Sequence, residues 1–199
     1  NNDSAHDWWH IFRVWNLAKN IGKNENVDMF VVELGALLHD IADYKFYDGD
    51  EMIGPRKVKE ILTSLGVNEK IIVHVQNILK NISYSSNIDK KREFNSRELE
   101  VIQDADMLDG MGAIGIARTF VYGGNKAREM YNPDIKPKLN MNKDEYRKDT
   151  GPTINHFYEK LLLLKDKMNT TTGKEIAENR HKYMEGFLEE FYLEWDGVC

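Results

Sequence analysis

Val27-Asp28-Met29-Phe30-Val31-Val32-Glu33-Leu34-Gly35-Ala36-Leu37-Leu38-His39-Asp40-Ile41 is the stretch whose reading decides the fold. Its apolar positions Val27, Phe30, Val31, Leu34, Leu37, Leu38 and Ile41 recur in steps of three and four. That is the period of a helix and not of a strand. The same spacing runs upstream through Ile11, Val14, Trp15, Ala18 and Ile21, and downstream through Ile71, Ile72, Val75, Ile78, Leu79 and Ile82. It returns in Phe157, Leu161 and Leu164. Ser4-x-x-Asp7 and Thr172-x-x-Glu175 have the spacing of capping boxes, and Pro152 after Gly151 suits a first helical turn. No Val/Ile/Thr-rich alternating run with flanking turn residues interrupts this pattern. The sequence therefore predicts an all-α fold, a helical bundle forming one domain over residues 1–199. A helical C-terminal extension from about residue 152 is expected to pack on it.

Two segments break the periodicity. Tyr44 to Pro55 is rich in Asp and Gly and reads as a loop, and Gly123 to Gly151 reads as a long excursion. Segments of that length in a compact domain are either functional lids or solvated connectors. The whole chain has 199 residues, 41% hydrophobic and 30% charged, an ordinary globular balance. Its net charge of −6 disfavours a partner that is a long polyanion such as a nucleic acid polymer. A small anion remains compatible, given a local cation to receive it. Apolar runs of about four or five residues fall far short of the roughly 18 needed to span a bilayer. The first residues carry neither the charge nor the apolar run of a signal peptide. The lone Cys199 permits no internal disulfide, so a cytoplasmic location is expected.

Chemistry concentrates in three clusters. In His6-Asp7-Trp8-Trp9-His10-Ile11-Phe12-Arg13, the two histidines are four apart and Arg13 follows His10 by one turn. In Leu37-Leu38-His39-Asp40-Ile41-Ala42-Asp43, polar groups end a strongly apolar helix; burying them requires a partner, and a divalent cation is one. In Val101-Ile102-Gln103-Asp104-Ala105-Asp106-Met107-Leu108-Asp109, carboxylates are threaded through another apolar run.

His10, then His39-Asp40, then an Asp within Asp104-Ala105-Asp106-Met107-Leu108 resembles the HD superfamily of metal-dependent phosphohydrolases. Segments 6–14 and 103–118 and His156-Phe157-Tyr158-Glu159-Lys160-Leu161 are similar to bacterial HD-domain hydrolases of the YedJ/YpgQ type. The resemblance covers nearly the whole chain. It implies an all-helical HD domain in which His10, His39, Asp40 and one late Asp hold a single divalent metal, any of Mn, Mg, Co, Ni, Fe or Zn. The Ala-Asp-x-Leu context selects Asp106. Asp104 is the alternative, about 200° away around a helix, so one of the two faces the ion. His6 then orients a ligand or touches substrate. By the same resemblance Asp43, three positions after Asp40, is the candidate general acid or base, and Asp48 a second catalytic acid. Some relatives carry a further His near the segment that here reads Asn81-Ile82-Ser83-Tyr84-Ser85. Without it a second metal is not expected; His74, the nearby histidine, reads as an exposed helix position.

Phosphate needs cations, and Arg13, Lys45, Arg118 and Lys160 are the candidates, with His156 one turn before Lys160. Trp8, Trp9, Tyr44, Phe46, Tyr47, Tyr122 and Tyr131 are candidates to stack on a base. The resemblance implies a small nucleotide substrate, hydrolysed by attack of metal-activated water on phosphorus, as a nucleoside triphosphate pyrophosphohydrolase or a nucleotidase. The alternatives are a cyclic or dinucleotide phosphodiesterase, a metal-dependent nucleotide sensor without catalysis, and a purely structural metal site. A monomer and a homodimer are both compatible with the sequence.

Overall fold

The computed structural model describes residues 7–41, 50, 52–82, 94–142, 145 and 148–198, and no strand occurs among them. The backbone forms two compact units, Asn1–Asp106 and Met107–Cys199.

In the first unit, α1 (Trp8–Gly22) starts where the Asp7 carboxylate accepts from the His10 amide at 2.9 Å. Its inward face is Val14, Ala18 and Ile21, with His10 in line. Helix α2 (Met29–Leu38) is capped by Asp28, which accepts from the amides of Phe30 and Val31. The two helices pack together, and Trp15 Nε1 donates to Glu33 across them at 2.9 Å. A helical hairpin follows, α3 (Ile53–Ser64) and α4 (Glu69–Asn81), turned at Gly66 with a φ of 71°. Helix α3 begins inside the segment read as a loop. Pro55 sits in its first turn, where a missing amide hydrogen costs no helical bond.

Helix α5 (Arg97–Asp109) is buried on nearly every side: Leu99, Val101, Ile102, Ala105 and Asp104 are fully covered. A helix without a solvent stripe is one enclosed by its neighbours. Gly35 of α2 lets it approach, since a Cβ there would lie 2.4 Å from Ile102 Cδ1. Buried Gln103 donates to the Asn81 carbonyl at 3.0 Å and so closes the end of α4. His74 is half-buried and not simply exposed; its Nε2 lies 3.1 Å from Ser96 Oγ and 3.4 Å from Glu98.

The second unit contains α6 (Gly112–Asn125), α7 (Asn155–Glu159), 3₁₀ turns at Leu161–Leu163 and Lys165–Lys167, and the long α8 (Thr171–Asp196). Helices α6 and α8 pack together around Phe120, Phe157 and Phe187, the last two stacked at 5.8 Å. Thr170, and not Thr172, caps α8, its hydroxyl accepting from the Gly173 amide at 2.9 Å. Pro152 precedes α7 by a turn and lies outside it. The excursion after α6 is tied down: the amides of Thr153 and Ile154 donate to the carbonyls of Glu129 and Met130.

Candidate metal centre

Three elements of the first unit bring four side chains together, two carboxylates around two imidazoles. His10 comes from the first turn of α1, His39 and Asp40 from the residues that end α2, and Asp106 from α5. His10 Nε2 lies 3.2 Å from His39 Nε2, 3.5 Å from Asp40 Oδ2 and 3.5 Å from Asp106 Oδ1. His39 Nε2 lies 3.5 Å from Asp40 Oδ2 and 4.0 Å from Asp106 Oδ1. His10, His39 and Asp106 alone could hold a metal ion, their donor atoms all falling within 4.8 Å of one another.

Local structure explains the aim of the rings. An α-helix leaves its last carbonyls unpartnered. At the end of α2 the Ala36 carbonyl accepts from His39 Nδ1 at 2.8 Å. With the proton on Nδ1, the Nε2 lone pair faces the cluster, which is the tautomer a metal requires. His10 is 2% exposed, locked among the inward residues of α1.

The donor set fits a divalent ion. Bonds of about 2.0–2.2 Å to nitrogen and oxygen place neighbouring donors about 3 to 3.5 Å apart. Mixed imidazole and carboxylate ligation suits a first-row divalent metal. The imidazoles are buried, whereas the Asp40 and Asp106 side chains are 25% and 43% exposed. The cluster is therefore closed on its histidine side and open on its carboxylate side, the arrangement a site needs to admit water or substrate.

Asp104, the alternative fourth donor, is fully buried; the three-residue group contains neither it nor Asp40. Arg13 is half-buried on α1, one turn beyond His10. His6, Asp43, Lys45 and Asp48 lie outside the described residues, as do Tyr44, Phe46 and Tyr47.

Arg118 belongs to the second unit and is engaged there, its Nη1 2.5 Å from Asp109 Oδ2 and 3.2 Å from the Asp109 carbonyl. His156 and exposed Lys160 are in the second unit too. Burial first, then the charges of Lys160 and Arg128, push the His156 imidazole down to about 3. No motif marks Arg128, whose guanidinium bonds the Asp149 carbonyl and faces the Tyr122 ring at 5.7 Å. Tyr131 packs edge-on against Tyr192 and Trp195 and lines a cavity of about 190 Å³ with Tyr158. Trp8 and Trp9 are exposed.

The His156 shift has a measurable consequence. Folded His156 stays neutral down to about pH 3, while in the unfolded chain it takes a proton near its ordinary 6.5. Between those values the unfolded state binds more protons, so stability falls as pH drops through that window. The expected slope is up to about 1.4 kcal/mol per pH unit from this group. Urea unfolding at pH 6.5, 5.5 and 4.5 measures it, and His156→Gln should flatten it; an unchanged slope in that variant removes the assignment.

Comparison with known proteins matches residues 8–111 to a family model described as the HD domain. Protein YpgQ of Bacillus subtilis is 36% identical over 98% of this chain and 87% of its own length. An HD-superfamily hydrolase from Bacillus thuringiensis, known as a crystal structure, is 45% identical with a TM-score of 0.77, covering 96% of this chain and 87% of its own. A crystal structure of YpgQ in complex with ADP is 35% identical with a TM-score of 0.75, covering 98% and 92%. No helix among the described residues is long and apolar enough to cross a membrane.

Proposed function

The chain belongs to the HD domain family, and from that premise we propose that it is a metal-dependent phosphohydrolase acting on a small nucleotide, in the cytoplasm. The observation that carries this reading is that His10 and His39 Nε2 lie 3.2 Å apart and each lies 3.5–4.0 Å from an Asp40 and an Asp106 oxygen, the cluster being open on the carboxylate side. ADP bound to YpgQ favours a nucleotide over other phosphoesters. Those four side chains would hold one divalent ion. Bound there, it would lower the pKa of a water and neutralise charge on the phosphate under attack. The protein's own part is positional. His39, fixed by the Ala36 carbonyl, and His10, fixed by the α1 packing, keep the donors preorganised, so little reorganisation accompanies charge development. By the resemblance to HD hydrolases, Asp43 is the candidate to accept or return a proton, and Asp48 a second acid for that role. Arg13, with Lys45, His156 and Lys160, supplies the candidate phosphate contacts; His156, held neutral, would serve as a hydrogen-bonding group and not as a cation.

A metal-by-nucleotide screen tests this. Chelated protein is reloaded with Mn, Co, Ni, Mg or Zn, and products are resolved into phosphate and pyrophosphate. Metal-dependent release is the expected result. Asp43→Asn should lower turnover by about 100-fold or more while metal and ADP binding persist. Full metal occupancy with no release from any nucleotide would favour the sensor reading, and full activity in Asp43→Asn would remove that residue's role.

A further inference from the structure

We propose that Arg118 and Arg180 are positioning residues for the metal centre: together they clamp the last turn of α5 and so fix the direction of the Asp106 carboxylate. The inference rests on reading the four-residue cluster as a metal site.

Every carbonyl of α5 beyond Asp106 has a donor. The Met107 carbonyl accepts from the Gly110 amide at 3.1 Å. The Leu108 carbonyl accepts from the Met111 amide at 3.0 Å and also from Arg180 Nη1. The Asp109 carbonyl accepts from Arg118 Nη1, which also pairs with the Asp109 carboxylate. Helix ends ordinarily leave such groups to water. Here two guanidinium groups take the place of water, with the cation at the helix end where the backbone dipole favours it.

The clamp is closed in by its surroundings. Asp109 is 1% exposed, and its charge also acts on Arg180. Gly112 has a φ of 68°, and a Cβ there would lie 3.0 Å from Arg180 Cγ, so the Arg180 stem runs directly over a residue that must be glycine. A Cβ on Gly115 would lie 2.3 Å from the Gly110 carbonyl oxygen. The turn after α5 thus has no slack.

Asp106 needs such support more than the other donors do. His10 is held by burial and His39 by its bond to Ala36, but the Asp106 side chain is 43% exposed. Its direction follows from the backbone that carries it. A metal donor has to be held within about 0.5 Å and 10–20° of its working geometry. The helix turn beginning at Asp106 is the turn whose carbonyls the two arginines hold.

The test uses the full chain, Mn(II) as the metal probe and ADP as the nucleotide probe. Arg180→Met keeps the stem across Gly112 and removes the donors; Arg118→Ala and the conservative Arg180→Lys complete the set. Circular dichroism and thermal melts establish that each variant is folded. Mn(II) affinity, from the free-ion electron paramagnetic resonance signal, is expected to fall about 10–100-fold in Arg180→Met and in Arg118→Ala. Arg180→Lys should recover most of it, and ADP affinity at saturating Mn(II) should stay within about threefold of the parent. A purely structural role would lower the melting temperature and leave Mn(II) affinity alone. Unchanged Mn(II) affinity in folded Arg180→Met would overturn the clamp. So would a loss of ADP affinity in Arg118→Ala with Mn(II) binding intact, which would make Arg118 a phosphate contact. A parent chain that binds no Mn(II) would instead overturn the metal reading itself, so the two failures are distinguishable.

Discussion

Replacing His39 by Ala is expected to lower Mn(II) affinity by more than about 100-fold and to remove metal-dependent hydrolysis with it. Losing a residue that only orients a metal ligand typically costs 10–100-fold, and His39 is placed as a donor. Its Nε2 meets three other donor atoms at 3.2 to 4.0 Å, and its Nδ1 bond to Ala36 commits the ring to that direction. Removal leaves His10 and two carboxylates, a poorer set for a first-row metal. Asp106→Asn should give a smaller loss, about 10–100-fold, because the carboxamide keeps one oxygen but loses the charge. Isothermal titration with Mn(II) measures both. Were Asp104→Asn to abolish binding while Asp106→Asn retained it, the fourth donor would be Asp104 and the assignment would fall.

The second large effect lies far along the chain, in stability. Phe157 is fully buried, stacks on Phe187 at 5.8 Å and meets Phe120 at 6.2 Å. Truncation to Ala removes apolar surface and leaves a cavity that the two remaining rings, Phe120 and Phe187, do not fill, at a cost of about 3–5 kcal/mol. For a chain of this length each kcal/mol lowers the melting temperature by about 2–4 °C, so a fall of roughly 6–20 °C is expected. Thermal unfolding followed by far-ultraviolet circular dichroism checks it. A drop under about 2 °C would mean that the aromatic cluster is not where the second unit's stability resides.

Much of the fold was legible because helices announce themselves locally. The three-and-four spacing in Val27–Ile41 marks α2 whatever lies around it. The Ser4-x-x-Asp7 box places the cap of α1 three residues early: Asp7 itself is the cap, and Ser4 lies outside the described residues. Errors arose where local signals compete. Thr172-x-x-Glu175 has the capping spacing, but Thr170 supplies the cap two residues earlier, because helix starts are decided by which backbone donor is left over. The Asp- and Gly-rich run ending at Pro55 reads as loop, yet proline is accepted in the first turn of α3. His74 reads as exposed because its partners, Ser96 and Glu98, are more than twenty residues away.

The sequence by itself determined the helical class and the chemistry available: imidazoles at His10 and His39, carboxylates at Asp40, Asp104 and Asp106, and cations beside them. Those follow from residue type and short-range periodicity, which no distant contact alters. Tertiary structure decided which groups meet. His10 and Asp106 are 96 positions apart in the chain and 3.5 Å apart in space, a contact that only the packing of α1, α2 and α5 creates. Asp104 and Asp106 differ by about 200° around one helix, so the choice between them is the rotation of α5 about its axis. That rotation is set by how Leu99, Ile102 and Ala105 bury, not by anything local to the aspartates. Arg118 shows the same division: its charge is written in the sequence, but its partner, Asp109, was chosen by the fold.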